Sequence, residues 1–276
     1  MPRQEEMLSN QGVPELPEVE TVANGLRERV SGDTVVSVWL GEKPEPLKST
    51  PEEIAETLKG KKIEQVHRIG KTVVFELAGG AQFLVHLGMT GRLLVNDSDV
   101  PLPAHTHGVL HLKSGREVRF IDPRRFGRMS VTRGYTGPGK EPLKIGVDEF
   151  VALFKGRKTP IKSALLNQKL LHGVGNIYAD ESLHRAGIRP TRQAGRMTRI
   201  ELERLHKAVK AVLQHAIKLG GSSVSDYVDA DGMRGFFQLE HRVYLRTGEP
   251  CRTCKTPIKR LLVAGRGTHY CPTCQR

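Results

Sequence analysis

Apolar positions first recur at helical spacing between residues 14 and 30, where Val19, Val22, Ala23, Leu26 and Val30 share one face. Pro17 is tolerated in this helix because first-turn N–H groups have no intrahelical acceptor. From about 34 to 132 the pattern shortens to β-rich segments: "TVVSVWL", "KTVVFEL", "QFLVHLG", "GRLLV" and "EVRFID". Turn signals such as Ala78-Gly79-Gly80 and Ser114-Gly115 separate them. Short strands at this spacing predict a sandwich or barrel. The Gly/Pro-rich stretch 133–146 reads as a hinge. Helical spacing returns beyond it. Thr159 and Pro160 open a helix expected to run to about His172 and stop at Gly173. A second opens at "GVGN" and ends before Gly187. A third starts on a capping box, Thr198 with Glu201, and stops at Gly220. Residues 220–236 read as a Gly/Ser/Asp loop. The pattern is that of an α+β chain: a β-sandwich with one N-terminal helix, then a helical domain.

Composition narrows the class. A chain of 276 residues can build two modest cores, and 38% hydrophobic with 26% charged residues is a globular rather than a disordered balance. No apolar run approaches the ~20 residues that span a bilayer, and the first twelve residues lack the apolar centre of a secretory signal. A cytoplasmic protein with no membrane partner is expected. The formal charge is +13. Its basic residues recur throughout, as in "DPRRFGR" and "FKGRK", which points to a folded basic groove for a polyanion rather than a basic tail.

The strongest local signal is Cys251-x2-Cys254-x16-Cys271-x2-Cys274, which uses all four cysteines of the chain. Four thiolates in two knuckles can enclose one zinc ion, structural because no coordination position stays open. Two disulfides are the competing reading, disfavoured without a secretion signal. "LLHGVGNIYADE" places a helix start beside Gly173 and Gly175, so its bare amides can receive a phosphate. Met89 in "HLGMTG", and Arg124 and Phe126 in "DPRRFG", lie in turns. Side chains so placed can wedge into a base stack, or can be ordinary core residues.

Taken in order, "PELPEVETV" at 14–22, Lys71, "HLGMTG" at 86–91, "DPRRFG" at 122–127, "GVGNIYADE" at 173–181 and the terminal cysteines resemble the bacterial formamidopyrimidine-DNA glycosylases. The likeness runs from Pro14 to Arg276. It implies a β-sandwich catalytic domain (14–135), a helix–two-turn–helix DNA-binding domain with a lesion loop (146–236) and a zinc finger (242–276). The implied activity is bifunctional, glycosylase and apurinic/apyrimidinic-site lyase. It acts, as a monomer, on oxidised and ring-opened purines such as 8-oxoguanine in the duplex DNA of the nucleoid. Pro14 matches the nucleophile, Glu15 the acid that protonates the sugar ring oxygen, Lys71 the proton donor for β-elimination and Arg266 that for δ-elimination. His105, Arg124, Arg157, Lys162 and Asn176 match DNA-contacting positions, and Met89, Arg124 and Phe126 the set that fills the void left by an everted base. The lesion loop reads "DGMRGFF", where many relatives carry Lys-Pro after Asp-Gly, so its grip on the base is expected to differ.

One feature departs from the family. An internal proline has an amide nitrogen whose lone pair is delocalised, so Pro14 is nucleophilic only as a first residue. Residues 1–13 are therefore expected to be a start-site artefact or a processed leader, with Val13 marking the true start. Three other readings follow from the same residues. A sister branch prefers oxidised pyrimidines but starts differently from "PELPEVE". A chain that keeps residues 1–13 becomes a catalytically silent lesion-binding protein. A zinc-ribbon nucleic-acid binder unrelated to repair leaves the N-terminal motif without a purpose.

Overall fold

The computed structural model describes residues 13–224 and 226–276, so the expectation for residues 1–12 lies outside the described residues. The chain forms two compact units, one of residues 13–136 with 219–236 and one of residues 137–218 with 237–276.

The first unit is a sandwich of two four-stranded antiparallel sheets. One sheet runs β1 (Val35–Leu40), β6 (Thr106–Leu112), β7 (Arg116–Ile121), β5 (Arg92–Asp97). The other runs β2 (Ile63–Ile69), β3 (Thr72–Leu77), β4 (Gln82–His86), β8 (Arg128–Thr132). Two helices accompany them, α1 (Leu16–Val30) and the short α2 (Pro51–Leu58). The apolar stripe read from the sequence is the stripe that is buried: Val19, Val22, Ala23, Leu26 and Val30 join one core with Val66, Phe75, Val85, Leu110 and Phe120. Strands β2, β6 and β8 and helix α2 were not singled out by the sequence pattern. Strand β2 ("IEQVHRI") shows why, since four of its seven residues are polar and its outer face meets solvent.

The segment 219–236, which the resemblance groups with the helical domain, lies in the same compact unit as the sandwich. Polar contacts hold it there. The Val95 N–H donates to Ala230 O at 3.1 Å. The Tyr227 hydroxyl donates to Glu18 O at 3.2 Å, and Arg29 pairs with Asp231.

The second unit contains α3 (Val147–Phe154), α4 (Ile161–Leu166), α5 (Asn176–Ala186), α6 (Arg199–Lys218) and a hairpin of β9 (Lys259–Val263) and β10 (Arg266–Tyr270). The capping box of α6 is present: Thr198 N–H donates to Glu201 Oε2 at 2.9 Å, and Glu201 N–H donates to Thr198 Oγ1 at 3.3 Å. Helix α4 is shorter than the sequence predicts. Asn167 turns its side chain back onto the Lys169 N–H at 3.0 Å, offering the backbone a turn in place of another helical bond. Gln168 then fastens the following turns by donating to Leu166 O and Val174 O and accepting the Gly173 N–H. The zinc-finger residues share this unit with the helices and do not form a body of their own. Among the described residues no helix is long and apolar enough to cross a membrane.

Candidate active site and metal centre

Pro14 and Glu15 are both buried at the head of α1. The Glu15 N–H donates to Glu18 Oε2 at 2.9 Å, which satisfies one of the orphan donors that open a helix. The other Glu18 oxygen, Oε1, accepts the Ser222 N–H at 2.7 Å. One buried carboxylate thus joins the start of α1 to the 219–236 loop. Glycine is required beside it. Gly221 has φ +80°, and a Cβ there would stand 2.8 Å from Glu18 Oε1. Sequence reading passed over Glu18, because at the third position of a helix an acid looks like ordinary capping. The Tyr227 phenol is also engaged, on Glu18 O and Gly220 O, and burial with the Glu18 charge pushes its pKa up.

A pocket of about 530 Å³ opens on the β2–β3–β4–β8 sheet, with Val13, Thr72, His86, Met89, Phe126 and Tyr135 on its wall. Val13 places the segment leading into Pro14 at this pocket. Lys71 is half-buried in the two-residue Gly70-Lys71 turn that joins the paired residues Ile69 and Thr72. Gly70, at φ +62°, makes that turn possible. The turn presents the ammonium close enough for its charge to act on His86. Burial, and then the charges of Lys71 and Arg128, lower the His86 pKa to about 4, so the ring is neutral near pH 7. Its Nδ1 accepts the Gly88 N–H at 3.0 Å, which leaves the proton on Nε2.

The two turns carrying Met89 and Phe126 are braced by Asp122, a fully buried carboxylate. It accepts the Thr90 hydroxyl at 2.5 Å, the Gly127 N–H at 2.7 Å and the Arg124 N–H at 3.2 Å. This residue was missed as a functional element; its signal is the Asp-Pro pair that opens "DPRRFG". Phe126 is 50% exposed with the Arg124 guanidinium 4.8 Å from its ring centroid, and Met89 is half-buried. A large ring held at the surface by a buried carboxylate is not a core residue. His105 is exposed in a left-handed backbone conformation, φ +64°.

In the helical unit, Arg266 is exposed at the start of β10, beyond a two-residue Ala264-Gly265 turn in which both φ angles are positive. Arg157 is half-buried, its Nε donating to Leu153 O. Asn176 opens α5 after Gly175, and its Nδ2 donates to Gly267 O at 3.0 Å. Lys162 departs from a simple phosphate contact. Its ammonium is wholly buried, 2.7 Å from Asp180 Oδ1 and donating to Thr268 Oγ1 at 2.8 Å and Gly267 O at 3.1 Å. It ties α4, α5 and the hairpin that carries Arg266 together.

The four cysteine sulfurs all lie within 4.8 Å of one another, with Cys251–Cys274 at 3.9 Å and Cys254–Cys271 at 3.4 Å. Thiolates placed tetrahedrally ~2.3 Å from zinc are about 3.8 Å apart, whereas a disulfide needs ~2.05 Å. The residues fit one structural zinc ion. The surrounding atoms suit thiolates: Thr253 N–H faces Cys251 Sγ and Cys274 N–H faces Cys271 Sγ, each at 3.4 Å. Glu181 anchors the approach to the ribbon, accepting the backbone N–H groups of Arg242, Val243 and Tyr244 at 2.9 to 3.0 Å. Burial nonetheless pushes its carboxyl pKa up.

Comparison with known proteins agrees along the chain. Residues 13–129 match the formamidopyrimidine-DNA glycosylase N-terminal domain, and residues 138–228 match its H2TH domain. Residues 248–276 match a zinc finger found in FPG and IleRS. Formamidopyrimidine-DNA glycosylase of Solibacter usitatus is 45% identical over 268 residues, covering 96% of this chain and 100% of the relative. The solved structure of the MutM (FPG) protein from Thermus thermophilus is 42% identical, with a TM-score of 0.84 over 95% of this chain and 98% of that one. Lactococcus lactis Fpg in complex with abasic-site DNA is 34% identical, with a TM-score of 0.86 over 95% of this chain and 99% of that one. The chain belongs to the formamidopyrimidine-DNA glycosylase family.

Proposed function

We propose that this protein is a base-excision-repair enzyme, a monomeric DNA glycosylase and abasic-site lyase that removes oxidised and ring-opened purines from duplex DNA, and that it works in the cytoplasm on nucleoid DNA. The observation that carries the reading is the head of α1: Pro14 and Glu15 are buried together, and Val13 just before them lines a pocket with Met89 and an exposed Phe126.

The chemistry starts once Pro14 is the first residue. The family match covers residues 13–129, so Pro14 is the second residue it matches. The free secondary amine of Pro14 attacks the sugar C1′, and the damaged base leaves with the electron pair of its glycosidic bond. The Pro14 nitrogen gives up its proton, which the departing base takes. Glu15 then gives its own proton to the ring oxygen as the ring opens, and the freed nitrogen lone pair closes an iminium. The iminium acidifies the C2′ proton, whose removal expels the 3′ phosphate, and a second elimination expels the 5′ phosphate. Lys71 and Arg266 are the proton carriers for these two steps. His86, neutral and bearing its proton on Nε2, offers a hydrogen-bond donor at the pocket without a charge. Phe126, Met89 and Arg124 fill the space that the everted nucleotide leaves. His105, Arg157 and Asn176 hold the backbone, and Lys162 acts through the hairpin it braces. Zinc, bound by Cys251, Cys254, Cys271 and Cys274, keeps that hairpin folded and takes no part in the reaction.

The test is excision of 8-oxoguanine from a defined duplex by the chain beginning at Pro14 and by its Glu15→Gln variant. The parent should release the base and leave phosphate on both sides of a one-nucleotide gap. The variant should bind the lesion duplex and release at least a hundredfold less base. Excision at the parent rate by Glu15→Gln would remove Glu15 from its role. Preference for an oxidised pyrimidine would favour the sister branch.

A further inference from the structure

A second concavity lies in the helical unit, where the end of α5, the start of α6 and the last residues of the zinc ribbon meet. It is open to solvent, with a volume of about 590 Å³, and Arg185, Arg204, Arg242 and Arg276 on its wall are exposed. Five guanidinium-bearing side chains line it, Arg185, Arg192, Arg204, Arg242 and Arg276, against a single acidic side chain, Glu201. Arg192 and Glu201 pair with each other in a two-pronged contact, which holds the Glu201 pKa down at about 2. That acid is therefore already engaged. The guanidinium groups of Arg185, Arg204, Arg242 and Arg276 have no hydrogen-bond or ion-pair partner among the described residues.

A solvated basic surface is the simplest account, and a cation at the C-terminal end of α5 is favoured by the helix dipole. That explains Arg185 but not Arg204, Arg242 and Arg276 beside it around one hollow, where the only acid is already paired with Arg192 and like charges repel one another. Two of the backbones that carry them are pinned. The Arg242 N–H is held by the Glu181 carboxylate, and the Arg276 N–H donates to Gly187 O at 3.2 Å. The hollow also lies at the far end of α5 from Asn176, the residue proposed to hold the DNA backbone. Asn176 and Arg185 stand at opposite ends of an 11-residue helix, which is about 16 Å long. An anion held here is not the phosphate that Asn176 would meet.

We infer that this arginine-lined hollow is a second anion site that takes a multiply charged phosphate group, apart from the lesion-binding surface. Planar guanidinium forks match phosphate oxygens two at a time, and the volume is that of a small-molecule site. Among the described residues the one aromatic ring on its wall is His184, whose Nε2 is 3.6 Å from Cys251 Sγ. Recognition therefore reads charge and not a base. The same chemistry is offered by a free oligophosphate and by the backbone of a second DNA segment.

The probe is inorganic triphosphate, titrated calorimetrically into the zinc-loaded full chain with zinc retention checked afterwards. One triphosphate per chain should bind. Arg204→Ala with Arg242→Ala should weaken it at least tenfold while zinc content and lesion excision stay at the parent level. Binding should persist when the lesion duplex is already in place. Lesion-free duplex added to that complex separates the two sources. If it displaces triphosphate from the parent complex, the natural occupant is a second DNA segment, and if it does not, a free oligophosphate. Triphosphate binding that is absent, is unchanged in the double variant, or is abolished by the lesion duplex would overturn the inference.

Discussion

Glu18 accepts the Ser222 N–H on Oε1 at 2.7 Å while its Oε2 accepts the Glu15 N–H at 2.9 Å. A single buried carboxylate therefore couples the residue proposed as the ring-oxygen acid to the loop proposed to close on the everted base. Removing it takes away an acceptor from each of two buried N–H groups, and losing such a bond costs about 1–3 kcal/mol. Glu18→Ala should lower excision of 8-oxoguanine at least tenfold. Glu18→Gln, which retains one acceptor oxygen, should lie between Ala and the parent. Strand cleavage at a preformed abasic site, which needs no grip on a base, should fall less in both. Equal losses on the two substrates would show that Glu18 only supports the fold.

Protonation of His86 gives a pH signature. Its pKa lies near 4 in the folded chain, below its ordinary value of 6.5, because it is buried beside Lys71 and Arg128. Between these values the unfolded chain binds a proton that the folded one refuses, so the contribution is complete above pH 6.5 and is lost as pH falls toward 4. The slope for one such group approaches about 1.4 kcal/mol per pH unit. His241, lowered to about 3 by burial, acts in the same direction in the helical unit. A histidine-resolved NMR titration should place His86 near 4, and His86→Gln should flatten the acid limb of stability. A His86 midpoint above 6 would contradict the buried, neutral ring.

Much of this was legible in the sequence, for definite reasons. The α1 stripe, the capping box at Thr198 and the cysteine spacing are local patterns with one dominant physical solution each. The burial of Lys162 was not legible, because its partners Asp180, Gly267 and Thr268 are distant in the chain. The attachment of residues 219–236 to the sandwich escaped for the same reason, since it depends on Glu18 some two hundred positions earlier. Helix α4 was overextended because its apolar spacing continues past Asn167, whose side chain ends it.

Zinc removal separates the two units. The metal-binding residues are tied to the helices through Gln275, which accepts the Cys271 N–H and donates to Ile188 O, and through Lys162 on Gly267 O. The sandwich core contains none of these residues. Purified protein should hold one zinc ion per chain. Chelation, or Cys251→Ser, should weaken lesion-duplex binding at least tenfold and leave the tertiary near-ultraviolet signal of Trp39, in the sandwich, almost unchanged. Full DNA affinity in zinc-free protein would contradict the role given to the ribbon.

The central claim is that the nucleophile is the Pro14 amine, and reduction of the iminium tests it most directly. Abasic-site duplex is mixed with borohydride and one of two proteins, the chain beginning at Pro14 or an uncleaved chain beginning at Met1, with intact mass verified for both. The Pro14 chain should be trapped as a stable covalent adduct in which peptide mapping places the sugar on Pro14. The longer chain should bind the same duplex and give no comparable adduct. Equal trapping of the uncleaved chain, with the sugar on Lys71 or Pro2, would contradict the account.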